Sequence, residues 1–146
     1  PANLVQISAA GVWKGLADGS FSVTAKFGGA VSNALPLSVY KLVNEAVTVN
    51  DNTAVSKLGF TAHWSGGVGI DDDPTTANMA CVKMGYLSGS IISTDHYVAP
   101  YNETLWFWNG TAFAFKESRG NDRDHIENLS CVRQCKISGA SKTCTP

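Results

Sequence analysis

Short β-prone runs open the chain. Asn3–Ser8 and Ser20–Phe27 are separated by Gly11, Gly15, Asp18 and Gly19, a pattern of strands joined by turns. The stretch from Leu37 to Val49 is rich in β-branched residues, and Asn44-Glu45 at its middle predicts a hairpin turn; Leu35, Val39, Leu42 and Ala46 also fit a helical spacing, which leaves a helix as the alternative. Beyond Phe60 the run HWSGGVGIDDDP, residues 63–74, places three glycines in four positions and reads as a long loop without a regular element. A helix follows over residues 74 to 84. Asp73 can accept from its first free N–H groups, Pro74 needs no donor in the first turn, and Gly85 suits the stop. Ala77, Cys81 and Met84 then share one face, so Cys81 points inward and the helix packs on a sheet.

The strongest local pattern is Thr104–Phe115, two aromatic runs around Asn109-Gly110, the pair favoured in a type I′ turn. A two-residue loop sets Trp108 opposite Thr111, Phe107 opposite Ala112 and Trp106 opposite Phe113. Alternation gathers Trp106, Trp108, Phe113 and Phe115 on one face and Leu105, Phe107, Ala112 and Ala114 on the other. With both faces apolar, the hairpin is expected to be central. Glu117–Glu127 has six charged residues in eleven and reads as a solvated loop, and Leu129–Ile137 supplies a last strand. No repeat, low-complexity tract or linker interrupts the sequence, so residues 1–146 are expected to form a single extracellular recognition domain. The fold class is α+β and β-rich, an antiparallel sheet core with one helix near 74–84 and two disulfides.

Composition narrows the partners. Eleven basic and twelve acidic residues, with no basic cluster, lack the electrostatic footprint of nucleic-acid binding, so no nucleic acid is expected. No apolar run approaches the ~20 residues of a membrane span, so no membrane insertion is expected. The cysteines, Cys81, Cys131, Cys135 and Cys144, admit three pairings. A lone C-x3-C with no histidine close in sequence is a poor zinc set, and the Ser-Gly-Ala-Ser centre of CKISGASKTC lets a small loop close, giving Cys135–Cys144 and leaving Cys81–Cys131. Such bonds imply an oxidising compartment and an extracellular or cell-surface location. The chain opens Pro1-Ala2-Asn3, so any export signal is expected to have been removed or to lie upstream. Sequons stand at Asn102, Asn109 and Asn128 and matter only in a eukaryotic secretory pathway.

Candidate chemistry is sparse. Asp71, Asp72 and Asp73 form a carboxylate cluster suited to calcium, but without the alternating ligands and bidentate Glu of an EF-hand loop; helix capping accounts for Asp73, and no cofactor or metal is assigned. The histidines, His63, His96 and His125, stand in no nucleophile or metalloprotease motif. Trp64 and Tyr101 lie in loops beside Gly, Asn and Asp, where an aromatic ring has little reason to be unless it contacts something. The candidate ligand site therefore combines loops 63–73 and 95–103, with His63, Trp64, Asp71, Asp95, His96 and Tyr101. Rings stack on sugar faces while polar groups fix the hydroxyls.

The order ANMACVKMGYLSGS, a polar Tyr-rich loop, LWFWNGTAF and NLSCVRQC resembles the C-terminal receptor-binding domains of bacterial type IV minor pilins and related tip adhesins. ACVKMGY also resembles the helix of scavenger-receptor cysteine-rich domains, and NLSCVR the ending of some C-type-lectin-like bacterial domains. The pilin resemblance covers about half the chain and implies a non-enzymatic adhesin that binds a cell-surface glycan or lipopolysaccharide at the tip of a surface appendage, beside other pilin or appendage subunits. The alternatives are a small secreted hydrolase using His96 or His125 with a neighbouring carboxylate, and a protein-binding or structural secreted domain.

Overall fold

The computed structural model describes residues 5–10, 12–96, 102–118 and 124–146. Short strands come first: β1 (Val5–Ile7), β2 (Trp13–Gly15), β3 (Gly19–Val23), β4 (Lys26–Phe27), β5 (Ala30–Val31) and β6 (Leu35–Val39). Then follow β7 (Lys41–Asn50), α1 (Asp51–Leu58), β8 (Val68–Ile70), α2 (Pro74–Lys83), β9 (Ser88–His96), β10 (Glu103–Trp108), β11 (Phe113–Ser118), β12 (Asp124–Ser138) and β13 (Ser141–Cys144). The chain is α+β and β-rich, with both disulfides as the cysteine spacing predicts, Cys81–Cys131 and Cys135–Cys144. It divides into two compact units: Pro1–Val43 with Cys135–Cys144, and Asn44–Gln134 with Thr145–Pro146.

The first unit is built of antiparallel ribbons. β1 pairs with β2, β3 with β6 through Phe21 opposite Leu37, and β4 with β5 around Gly28, whose φ of 57° closes the tight tip. The Cys135–Cys144 bridge lies across paired residues of β12 and β13. The Asp18 carboxylate accepts from Gly139 N at 2.7 Å, a bond to the ionised form that holds its pKa below the ordinary carboxylate value.

The second unit holds the packed core, where Ile70, Ala77, Ala80, Cys81, Ile126, Leu129 and Cys131 are fully buried. α2 follows its sequence signals closely. Asp73 caps it by accepting from Thr76 N at 2.7 Å, and Gly85 turns the chain away at φ 96°. Cys81 on its inner face reaches Cys131 on β12. Below it, a Cβ added to Gly89 of β9 would collide with the Cys81 side chain, so β9 approaches the helix through a position that only glycine fits.

Four sequence expectations are corrected. Asn44-Glu45 make no turn. β6 ends at Val39 and β7 runs unbroken from Lys41 to Asn50, because Val43, Glu45, Val47 and Val49 alternate inward with strand period and Arg133 lies 3.4 Å from the Glu45 carboxylate. α1 follows, capped by Asn50, which accepts from Thr53 N, and by Gly59 at φ 70°. The glycine-rich loop also contains a strand, since Val68–Ile70 pair in parallel with Thr104–Trp106. Third, the aromatic hairpin is offset by two residues from a two-residue turn: Trp108 pairs with Phe113, Phe107 with Ala114 and Trp106 with Phe115. Asn109 has negative φ, whereas a type I′ turn needs positive φ at both centres; its carboxamide oxygen instead accepts from Thr111 N and Ala112 N, closing a four-residue loop. A shift of two preserves which side chains share a face. Within its sheet, of order β11-β10-β8, β10 is interior and β11 is an edge rather than central. Last, the charged stretch is not all solvated loop: β11 reaches Ser118, β12 starts at Asp124, and His125 and Ile126 are buried.

In the loop-closure account, the Cys81–Cys131 bridge spans 50 residues and stabilises by about 4 kcal/mol, against roughly 3 for the nine-residue Cys135–Cys144 loop. A Cys81→Ala/Cys131→Ala variant is therefore expected to lose more stability in urea unfolding than Cys135→Ala/Cys144→Ala. Equal losses would show that loop length does not set what each bridge contributes.

Candidate functional site

Strand alternation gives the β11-β10-β8 sheet two chemically distinct faces. Thr104, Trp106 and Trp108 point one way with Phe113, Phe115 and Glu117, while Glu103, Leu105 and Phe107 point the other way with Gly69, Lys116 and Asp71. The segment after α1 crosses the first face. It is tied there by His63 N donating to Thr104 Oγ1 (2.7 Å) and by Trp106 Nε1 donating to Thr61 O (3.2 Å).

Those two bonds set a cluster of rings. Phe60 stacks on Trp106 at 4.5 Å between centroids and meets Phe113 edge-on at 4.9 Å. His63 stacks on Phe115 at 3.7 Å, and Trp64 meets Phe115 edge-on at 6.0 Å. The cluster grades from the core outward: Phe60 packs against buried residues, Trp64 and Trp106 are half-buried, and His63 and Phe115 are exposed, Phe115 at 43%. One rung along the same face Asn102 donates to Glu117 Oε1 (2.7 Å), and Gly66 N donates to Asn102 O (2.8 Å). A partly exposed set of rings thus adjoins an amide and a carboxylate in fixed positions.

The opposite face carries charged groups beside Leu105 and Phe107. Asp71 Oδ2 and Lys116 Nζ are 2.6 Å apart. His125 is the backbone partner of Asp71 on one side and of Asp95 on the other, and its Nδ1 lies 3.7 Å from Glu103 Oε2, with both side chains less than a tenth exposed. Gly69 makes room for this pair, since a Cβ there would sit 2.6 Å from Glu103 Oε1 and 3.2 Å from His125 Cβ. Burial pushes the Glu103 carboxyl above its ordinary pKa; the His125 imidazole opposes the shift, and the Asp51 and Asp95 carboxylates add to it. At the end of β9, His96 Nδ1 lies 2.7 Å from Asp124 Oδ1, with both side chains about half exposed.

The structure brings His63 and Trp64 together on the aromatic face. It places Asp71 on the other face, and Asp95 and His96 at the end of β9 beside Asp124 and His125. Tyr101 lies outside the described residues. Within the acidic triplet, Asp73 is spent on the helix cap and Asp71 on Lys116. Each sequon asparagine has a side-chain role in the fold: Asn102 with Glu117, Asn109 in its loop, and Asn128, which donates to Ser93 Oγ. Sequence reasoning left Phe115 and Glu117 out of the site and held Asn102 only as part of loop 95–103, although period-two alternation from Trp106 through the hairpin points to all three. Glu103 and Lys116 were likewise missed; their contacts depend on long-range pairing that no local pattern carries.

Compared with protein families, with curated proteins and with solved structures, the chain matches none. Among the described residues, no helix is long and apolar enough to cross a membrane.

A carboxyl whose pKa is raised on folding binds its proton more tightly in the folded protein. Its contribution to stability is therefore full below the ordinary value of 4.5 and is lost as pH rises through the raised value. Glu103→Gln should gain stability relative to the parent as pH rises from about 4 to 8, read as the difference between paired urea unfolding curves. A gain that shrinks with rising pH would mean that ionised Glu103 is held by His125 more strongly than burial disfavours it.

Proposed function

We propose that this chain is an extracellular, non-enzymatic recognition domain that binds a glycan on the ring face formed by His63, Trp64 and Phe115. The observation that carries the reading is that His63 and Phe115 are stacked at 3.7 Å yet exposed, with the Asn102–Glu117 pair beside them. Rings of this kind offer a preformed apolar surface to the C–H face of a sugar, and a neighbouring amide and carboxylate select its hydroxyls. Because the platform is fixed by Trp106 and Phe60 beneath it, little side-chain entropy is lost on binding. A shallow site of this size gives weak affinity per copy, which display in many copies raises.

Two disulfides suit a protein that works in an oxidising compartment. The resemblance of the C-terminal half to minor pilin tip domains extends the proposal to a cell-surface polysaccharide or lipopolysaccharide met at the end of a bacterial appendage. A hydrolase would have to use the exposed His96–Asp124 pair, since Glu103 and His125 are closed off from solvent.

The test is a glycan array probed with the multivalently displayed chain, with calcium and with chelator. Trp64→Ala and Phe115→Ala, each checked for an unchanged circular dichroism spectrum, are expected to lower binding at least about tenfold, the loss of one stacking ring. Asp72→Asn is expected to bind as the parent does. Silence of the folded parent across the array, or full binding by both ring variants, would overturn the proposal.

A further inference from the structure

The two units divide charge and burial unequally. Pro1–Val43 with Cys135–Cys144 contains five lysines, Lys14, Lys26, Lys41, Lys136 and Lys142, against one acid, Asp18. The rest of the chain carries six basic and eleven acidic residues, so a near-neutral protein consists of a unit at +4 and a unit at −5. Among the basic unit's side chains whose burial is described, only Cys135 is buried, whereas Val12, Leu16, Phe27, Val31, Leu35 and Leu42 are all at least half exposed. Phe27, at 92%, stands beside Lys26 at the tip of the β4–β5 ribbon.

The backbone adds a third asymmetry. The sheets contained wholly in the basic unit, β1-β2, β3-β6 and β4-β5, are each two-stranded. Among the described residues, each therefore presents outer edges whose N–H and C=O groups have no strand partner, and isolated ribbons of this length are marginal in water. Water satisfies such an edge in solution; of macromolecular partners, another polypeptide strand pairs with it residue by residue, which neither a lipid surface nor a polysaccharide does. The exposed lysines require that polypeptide to be acidic.

We infer that the basic unit is an assembly surface whose occupant is the acidic unit of a second copy of this chain. The acidic unit offers a seat of the required kind. β9 pairs only with β12 among the described strands; Gly89 N at its start donates to Asn78 Oδ1 of α2, and beyond that point its far edge has no strand partner among the described residues; it exposes Ile92 at 53% and carries Asp95, with Asp124 and Glu127 on the adjoining strand. Lys26 and Phe27 of one copy meet at that edge the two things they lack, negative charge and apolar cover. The contact joins two different surfaces, so it is head-to-tail, and each copy added leaves one basic and one acidic unit unused. Growth is therefore open-ended unless the geometry closes a ring.

The experiment is sedimentation velocity on the intact chain across a concentration series, at about 0.05 and 0.5 M salt, where the screening length falls from beyond to within the range of an interface pair. The expected result is a weight-average mass that climbs with concentration at low salt and falls back at high salt. Lys14→Glu/Lys26→Glu, Phe27→Ser and, on the other surface, Ile92→Lys should each weaken association at least about tenfold. All change exposed side chains, and unchanged circular dichroism and thermal unfolding verify that the chain still folds. Trp64→Ala should associate as the parent does, which keeps this inference separate from the glycan reading. A chain that stays monomeric at every concentration overturns the inference, as does association that salt strengthens or that the lysine variants leave intact. Binding of the monomer to vesicles of anionic lipid, lost in the lysine variants, would overturn it in favour of a membrane surface.

Discussion

Helix α2 can lie on its sheet only because nothing larger than a hydrogen atom projects from Gly89 beneath Cys81. That close approach puts Cys81 within bonding distance of Cys131 and sets the spacing of the layer between them, where Thr76, Ala77 and Ala80 are all fully buried and small. Small side chains lose little conformational entropy on burial and bring backbone near backbone. The consequence reaches the aromatic hairpin directly: Thr76 Oγ1 accepts from Trp108 N at 2.9 Å, so the helix holds the end of β10 by a bond that needs the short separation. The position of β10 in turn fixes Trp106, and Trp106 anchors Phe60 and the segment bearing His63 and Trp64. A bulky residue at Gly89 would therefore disturb rings that are remote from it in sequence.

One sheet thus separates two kinds of chemistry by strand parity alone. On the ring face, contacts are apolar and graded toward solvent, from Phe60 to Phe115. On the other face, Asp71 pairs with Lys116 at the partly exposed margin, while Glu103 and His125 face each other away from solvent, where a charge is tolerated only beside an opposite one. Gly69 belongs to this second face. Its missing side chain admits the Glu103 carboxylate, and the glycines of the preceding loop, with Gly67 at φ 103°, let the chain turn into β8. The same glycine-rich run that argues against regular structure in the sequence is what permits a three-residue strand to fit beside β10.

This accounts for what could be read in advance and what could not. α2, its caps, both disulfides and the membership of the two hairpin faces follow from local rules: a capping Asp with Pro behind it, cysteine spacing, and alternation. The hairpin register did not follow, because Asn109 is equally good as a left-handed turn residue and as an acceptor for Thr111 N and Ala112 N, and the flanking aromatic pairs favour the latter. β8 escaped for a related reason, being a strand defined by its partner rather than by its own composition. At the ring face, His63 and Trp64 were legible as aromatics in a polar loop. Their partner Phe115 was read as part of a hairpin face, and only the fold joins the two observations.

The uneven sharing of apolar residues between the two units bears on what the chain requires of its surroundings. Burial of a large aliphatic or aromatic side chain contributes roughly 2 kcal/mol, and among the described side chains every buried hydrophobic one except Cys135 lies in Asn44–Gln134. The basic unit is ordered by cross-strand pairs such as Phe21 with Leu37, by Lys136 lying 4.8 Å over the Tyr40 ring, and by the Cys135–Cys144 bridge, each of which constrains a ribbon without covering it. Exposed leucine, valine and phenylalanine on such ribbons represent stabilisation not yet realised within one copy. Phe27 and Leu35 stand exposed in a unit whose charges are lysines with a single acid, apolar area of the kind that the proposed contact between copies would cover.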